Sequence, residues 1–149
     1  MINMPSSKKD TNCNFQYSVL VNNSRQKVWN YLTNVSRWRE WDTELVHSEL
    51  SEDFAWGAKG ILMPKKGPQL IFYISELTHN KSYTFVTKMP LGTLEIKRTL
   101  EERDHQIQFT DDIRFTGFLK QLFGLMLGRG FKSVLPQVMR NFKELAEKE

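Results

Sequence analysis

VWNYLTNVSRWREWD, residues 28 to 42, carries two signals in one short run. Val28, Tyr31, Leu32 and Val35 recur at the spacing of a helix with a single apolar face, and Asn23 or Ser24 just upstream can cap it. At RWREWD (37–42) the period breaks into a short helical turn with Trp38 and Trp41 on one side and charges between them. An indole has a large apolar area and one donor, so it is buried where that N–H finds a partner or left at a rim that a ligand can cover. One of these two is expected in the wall of the fold and the other at a cavity rim.

Outward from this run the pattern changes in both directions. Upstream, FQYSVLV (15–21) alternates Phe15, Tyr17, Val19 and Val21 against polar residues, the period of a half-buried strand. Downstream, ELVHSEL, AKGILM, QLIFYISEL, SYTFVTKM, TLEIKRTLEE and QIQFTDDIRF are short alternating segments separated by WG, KKGP, THNK, PLG and RDH. Such closely spaced turns predict an antiparallel meander. From Phe118 the chain reads as helix, with Phe131, Val134, Leu135, Val138, Met139, Phe142 and Leu145 on one face. Pro136 removes a donor and is expected to bend it. Gly124, Gly128 and Gly130 predict that 118–130 opens before 131–147.

These elements predict an α+β fold in which a curved antiparallel sheet wraps a long C-terminal helix, with two short helices after the first strand and a cavity between sheet and helix. VWNYLTNVSRWREWD and SVLPQVMRNFKELAEKE (133–149) resemble the corresponding helix, tryptophan turn and closing helix of the START-like (SRPBCC) superfamily, in its polyketide cyclase/dehydrase and lipid-transport branch. The resemblance covers nearly the whole chain from Phe15 and implies the helix-grip fold and a hydrophobic cavity. It leaves open whether the chain is a cyclase, a carrier or a co-chaperone-like module, because one fold serves all three.

The 149 residues suit one domain, expected over 13–149 behind a flexible tail at 1–12. Lys+Arg 21 against Asp+Glu 17 is a small surplus scattered along the chain, which argues against nucleic acid as partner. A single cysteine, Cys13, excludes an internal disulfide, and no segment has the length or hydropathy of a membrane span. A cytoplasmic protein is expected.

No HExxH, CxxC, GxSxG or phosphate-loop spacing is present, and His47, His79 and His105 fall in separate segments, so neither a metal nor a cofactor is expected. Two charges break the strand pattern. Arg98 shares a phase with Leu94, Ile96 and Leu100, and Asp111 shares one with Ile107, Phe109, Ile113 and Phe115. Placed equally far from a turn at 104–105, they should meet on neighbouring strands and orient the polar end of a ligand, unless a bulge turns either into water.

Tyr83, Phe85, Phe109 and Phe115 could line a pocket or simply build core, and the facing of Tyr73 is undecided. FLKQLFGLMLG (118–128), with Leu122 and Met126, is apolar on more than one side, which fits a gate, a homodimer contact, a transient membrane contact or plain packing. The expected ligand-binding set is Trp38, Trp41, Tyr73, Tyr83, Phe85, Arg98, Phe109, Asp111, Phe115, Leu122 and Met126. The leading expectation is a carrier or binder of a small lipid, polyketide-like or aromatic molecule. A cyclase or dehydratase using Asp111, Tyr73 or His47 is one alternative. A protein-interaction module, which predicts a filled core and an exposed patch on the sheet, is another.

Overall fold

The structure is a computed structural model that describes residues 11, 13–89, 91–118 and 120–148; the side chains of Leu122, Phe123, Leu125 and Met126 lie outside the description. Seven strands form one antiparallel sheet: β1 (Asn14–Val21), β2 (Leu45–Leu50), β3 (Lys59–Pro64), β4 (Leu70–Thr78), β5 (Ser82–Met89), β6 (Gly92–Arg103) and β7 (Gln106–Gly117). Their order is β1-β7-β6-β5-β4-β3-β2, so the meander from β2 to β7 runs between neighbours and β1 closes onto its last strand. Between the two edge strands the chain crosses by α1 (Arg25–Leu32) and a 3-10 helix, Val35–Glu40.

Local chemistry accounts for these boundaries. Ser24 caps α1, its hydroxyl accepting from the Lys27 N–H at 3.3 Å. The β6–β7 hairpin turns on Asp104 and His105, both left-handed with φ of 49° and 68°, residue types that tolerate this region. That turn fixes the register in which Arg98 stands opposite Asp111. In β4 a bulge between Ile74 and Glu76 shifts the phase. Before it, Phe72 and Ile74 face inward, while Ile71 is 65% exposed on the outer face, which resolves the ambiguity of QLIFYISEL.

At its C-terminal end the chain forms α2 (Lys120–Phe123), a π-helical segment Gly124–Gly128 and α3 (Arg129–Lys148). Leu135, Val138, Met139, Phe142 and Ala146 form the buried face of α3. Pro136 lies inside α3 and leaves the carbonyl one turn before it without its usual donor. Polar ties hold α3 in place: Lys143 Nζ donates to the Leu20 carbonyl at 2.7 Å, Asn23 Nδ2 to the Ala146 carbonyl at 2.8 Å and Asn141 Nδ2 to the Trp41 carbonyl at 3.3 Å.

The glycines of the 118–130 segment differ in role. A Cβ on Gly124 would lie 2.8 Å from the Cys13 Cβ, so this glycine lets the helix approach β1, whereas a Cβ on Gly130 would meet nothing within 4 Å. Gly130→Ala is therefore expected to stabilise the fold by up to about 1 kcal/mol, and Gly124→Ala to destabilise it, in chemical unfolding. Equal effects of the two substitutions would remove the close approach as the reason for Gly124.

Candidate functional site

The inner face of the sheet places a row of side chains across four strands: Tyr17 on β1, Asp111 on β7, Arg98 on β6 and Tyr83 on β5. Arg98 and Asp111 are 3% and 2% exposed, the two charged groups of the buried interior among the described residues. Arg98 Nε donates to Asp111 Oδ1 at 3.4 Å and Nη1 to the Tyr83 hydroxyl at 3.1 Å. The Tyr83 hydroxyl in turn donates to the Leu32 carbonyl at 2.9 Å, a carbonyl that also accepts from Trp38 Nε1 at 2.9 Å. The end of α1 thus anchors both rings, because its last carbonyls have no partner within the helix.

Aromatic rings enclose the guanidinium. Its carbon lies 4.7 Å from the Trp38 ring, 4.8 Å from Trp41 and 4.9 Å from Phe85, distances at which a ring face attracts a cation. Trp38 stacks on Tyr83 at 6.4 Å, and Phe142 of α3 closes on Trp41 at 5.0 Å and on Phe109 at 4.7 Å. Neither indole stands at a rim, contrary to the expectation for one of them: Trp38 and Trp41 are 1% and 0% exposed. Strand and helix converge on the tryptophan turn from both sides and leave it inside the wall.

The ionisation of the site follows from this burial. Burial works against the charge of Arg98, but Tyr83 and Asp111 outweigh it and hold the group protonated. Burial pushes the Asp111 carboxyl up, and one long bond to Arg98 does not reverse it. Burial likewise pushes Tyr83 up to about 12. The sequence reading missed Asp42, the last residue of RWREWD. It is half-buried, its Oδ1 accepts from the Glu44 N–H at 3.0 Å, and burial raises it to about 6 against the pull of Arg98. An acid ending an aromatic turn was the available signal.

A carboxyl whose folded pKa lies above its unfolded value favours the folded state when protonated. Its contribution is full below pH 4, near the ordinary value of 3.8, and is lost as pH rises through about 6. Asp42→Asn, which stays neutral and keeps the oxygen that Glu44 uses, is expected to be more stable than the parent above pH 6, with the difference vanishing near pH 4 in thermal unfolding. A difference independent of pH would contradict this assignment.

Of the remaining expected residues, Tyr83, Phe85, Phe109 and Phe115 lie buried on the inner face. Tyr73 is not brought to them. It stands opposite Lys59 and Val86 on the outer face and lines an open groove of about 630 Å³ with Ile71, Lys59 and Lys88. The strand phase before the bulge turns it outward. The side chains of Leu122 and Met126 lie outside the described residues. Thr87 is a further inner-face residue that sequence did not single out, 1% exposed and with an unpartnered hydroxyl. Around the described part of the centre the space expected for a cavity is taken by interleaved aromatic rings. No group of metal-ligating side chains occurs among the described residues, and no described helix is long and apolar enough to cross a membrane.

Comparison with known proteins follows the same outline. The model of the family described as polyketide cyclase / dehydrase and lipid transport matches residues 12–147. Comparison with curated proteins finds no match. Among solved structures, a protein from Mesorhizobium loti superposes with a TM-score of 0.72 at 16% identity, over 91% of this chain and 97% of that one. The di-domain ARO/CYC StfQ from the steffimycin biosynthetic pathway superposes at 0.71 and 12% identity, over 91% of this chain and 51% of that one, so this chain spans about half of it. Ara h 8.0201 superposes at 0.67 and 9% identity, over 91% and 98%. These likenesses show the fold.

Proposed function

Because the chain belongs to the polyketide cyclase/dehydrase and lipid-transport family, we propose that it binds a small hydrophobic molecule, a lipid, polyketide-like or aromatic compound, between the inner face of the sheet and the C-terminal helix. The observation that carries this reading is the buried Arg98–Asp111 pair, the charged groups of the interior among the described residues, set against the aromatic and aliphatic core. Burying two charges costs several kcal/mol per ion on the order-of-magnitude scale, and although Tyr83 and the facing rings compensate Arg98, one 3.4 Å contact repays Asp111 poorly. A core built only for stability would do better with apolar residues. Polar groups held at a loss in an aromatic surround suit a site that orients a ligand's polar end.

Native mass spectrometry of gently purified protein, with displacement of cis-parinaric acid and anilinonaphthalene sulfonate, tests it. A co-purified ligand or saturable probe binding is expected. No ligand and no probe binding would overturn it.

A second reading makes the same centre catalytic. It is favoured by the raised Asp111 carboxyl, which suits proton transfer, and by the likeness of fold to StfQ, a di-domain ARO/CYC. Turnover of polyketide-like substrates that vanishes in Asp111→Asn would establish it. A protein-interaction role finds support in the exposed Ile71 and Trp56 and in the closely filled aromatic centre, and binding of a partner protein without any small ligand would favour it.

A further inference from the structure

We propose that the end of the sheet formed by the β5–β6 hairpin and the exit of β7 docks on a lipid bilayer whose surface carries anionic headgroups. Leu91 at the hairpin tip and Phe118 just after β7 are 66% and 86% exposed, two large apolar side chains left in water. They form one tip, because the Phe118 N–H donates to the Leu91 carbonyl at 2.9 Å. Beneath them Gly92 pairs with Gly117, and a Cβ on either would run into the facing strand, so the two backbones close up and support the tip. Leu91 has a φ of 59°, a left-handed conformation that glycine or asparagine adopts at less cost. The strain goes with an apolar side chain that the described fold does not cover.

Charge decides what covers this tip. From 77 to 94 and from 113 to 143 the sequence has no Asp or Glu. Lys88 stands opposite Thr93, whose hydroxyl bonds that of Thr116, and Lys120 follows Phe118 by two residues, so both cations flank the tip. Beside it lies a hollow of about 370 Å³, lined by Arg114 and Lys120 with Thr11, Asn14 and Thr116 and by no acidic side chain among the described residues. Glu95 stands across from Arg114 on β6. The neighbouring β3–β4 hairpin adds Lys65 and Lys66, set against Glu44, whose carbonyl accepts the Lys65 N–H.

A protein partner would need a walled pocket for side chains that stand out as far as Leu91 and Phe118, whereas a fluid surface receives them without one. Their apolar groups enter the acyl boundary while the lysine stems lie along it and the ammonium ends reach the phosphates. Each such cation adds to attraction for an anionic surface. The hollow beside Phe118 suits one phosphate headgroup, since Arg114 and Lys120 supply charge and the hydroxyls supply donors. This contact does not depend on what the inner face binds.

Co-sedimentation with vesicles of phosphatidylcholine alone and of an equal mixture with phosphatidylglycerol tests this. The parent protein should bind the mixed vesicles about tenfold or more tighter than the neutral ones, and salt should weaken the binding. Leu91→Ser/Phe118→Ser, which alters exposed positions and whose folding is verified by circular dichroism, should lose about tenfold or more in affinity for the mixed vesicles. Lys88→Gln/Lys120→Gln should lose the preference for them. No binding of the parent to mixed vesicles, or unchanged binding in the serine variant, would overturn the proposal and leave cis-parinaric acid displacement at the inner face untouched. Self-association of the parent in place of vesicle binding, abolished in the serine variant, would assign the tip to a second copy of the chain and overturn it as well.

Discussion

Arg98→Met and Asp111→Leu are each expected to cost the fold about 3–5 kcal/mol, whereas the double variant should cost much less than their sum. Each single change leaves a charge in an interior where its former partner was 3.4 Å away and where the surrounding groups are rings. Arg98 without Asp111 retains the neutral Tyr83 hydroxyl, and Asp111 without Arg98 loses the hydrogen bond and the cation that oppose the effect of its burial, which then drives it to protonate. Replacing both removes the desolvation together with the attraction. Denaturant unfolding of the four proteins in one cycle measures the coupling. Small additive effects, about 0–1 kcal/mol each, would mean that the pair is solvated and the inner-face assignment is wrong.

Trp38→Ala should be of similar size, about 3–5 kcal/mol, since it removes a large ring from a closed surround. The ring packs within 5.1 Å of Phe85 and 5.7 Å of Phe72, covers the Arg98 guanidinium, and fixes its N–H on the Leu32 carbonyl. Loss of this one side chain therefore opens a cavity and uncovers a cation. Trp56→Ala gives the control: this tryptophan is 75% exposed and touches the fold through one bond to the Ser75 carbonyl, so its removal should cost under about 1 kcal/mol. Comparable losses for the two would contradict the burial described above.

The fold could be read from sequence because its signals are local. The period of two in TLEIKRTLEE and QIQFTDDIRF, with a turn at 104–105, determines the register, and the structure pairs Arg98 with Asp111 accordingly. Tyr73 could not be oriented from sequence because QLIFYISEL is apolar on both faces, and the Ile74/Glu76 bulge that resolves it depends on pairing with β5. The position of the tryptophan turn was also out of reach. Whether Trp41 lies at a rim or inside depends on Phe109 of β7 and Phe142 of α3, far away in sequence. Asp42 escaped notice for a related reason: an acid after a turn reads as solvated until Arg98 and Asp111 are brought near it. What sequence lacked was tertiary neighbours, and the candidate site is made almost wholly of them.

Binding at the Arg98–Asp111 centre is tested most directly by the tryptophan indole resonances in a nitrogen–proton correlation spectrum, assigned by single Trp→Phe variants, during titration with naphthoate and cis-parinaric acid. The indole N–H of Trp41 is buried without an acceptor, that of Trp38 is held by the Leu32 carbonyl and that of Trp56 lies at the surface. A ligand in the proposed place should shift the Trp41 resonance most, Trp38 less and Trp56 not at all. A saturating titration that moves Trp56 and leaves Trp41 unchanged would place the ligand on the outside of the sheet and contradict the account.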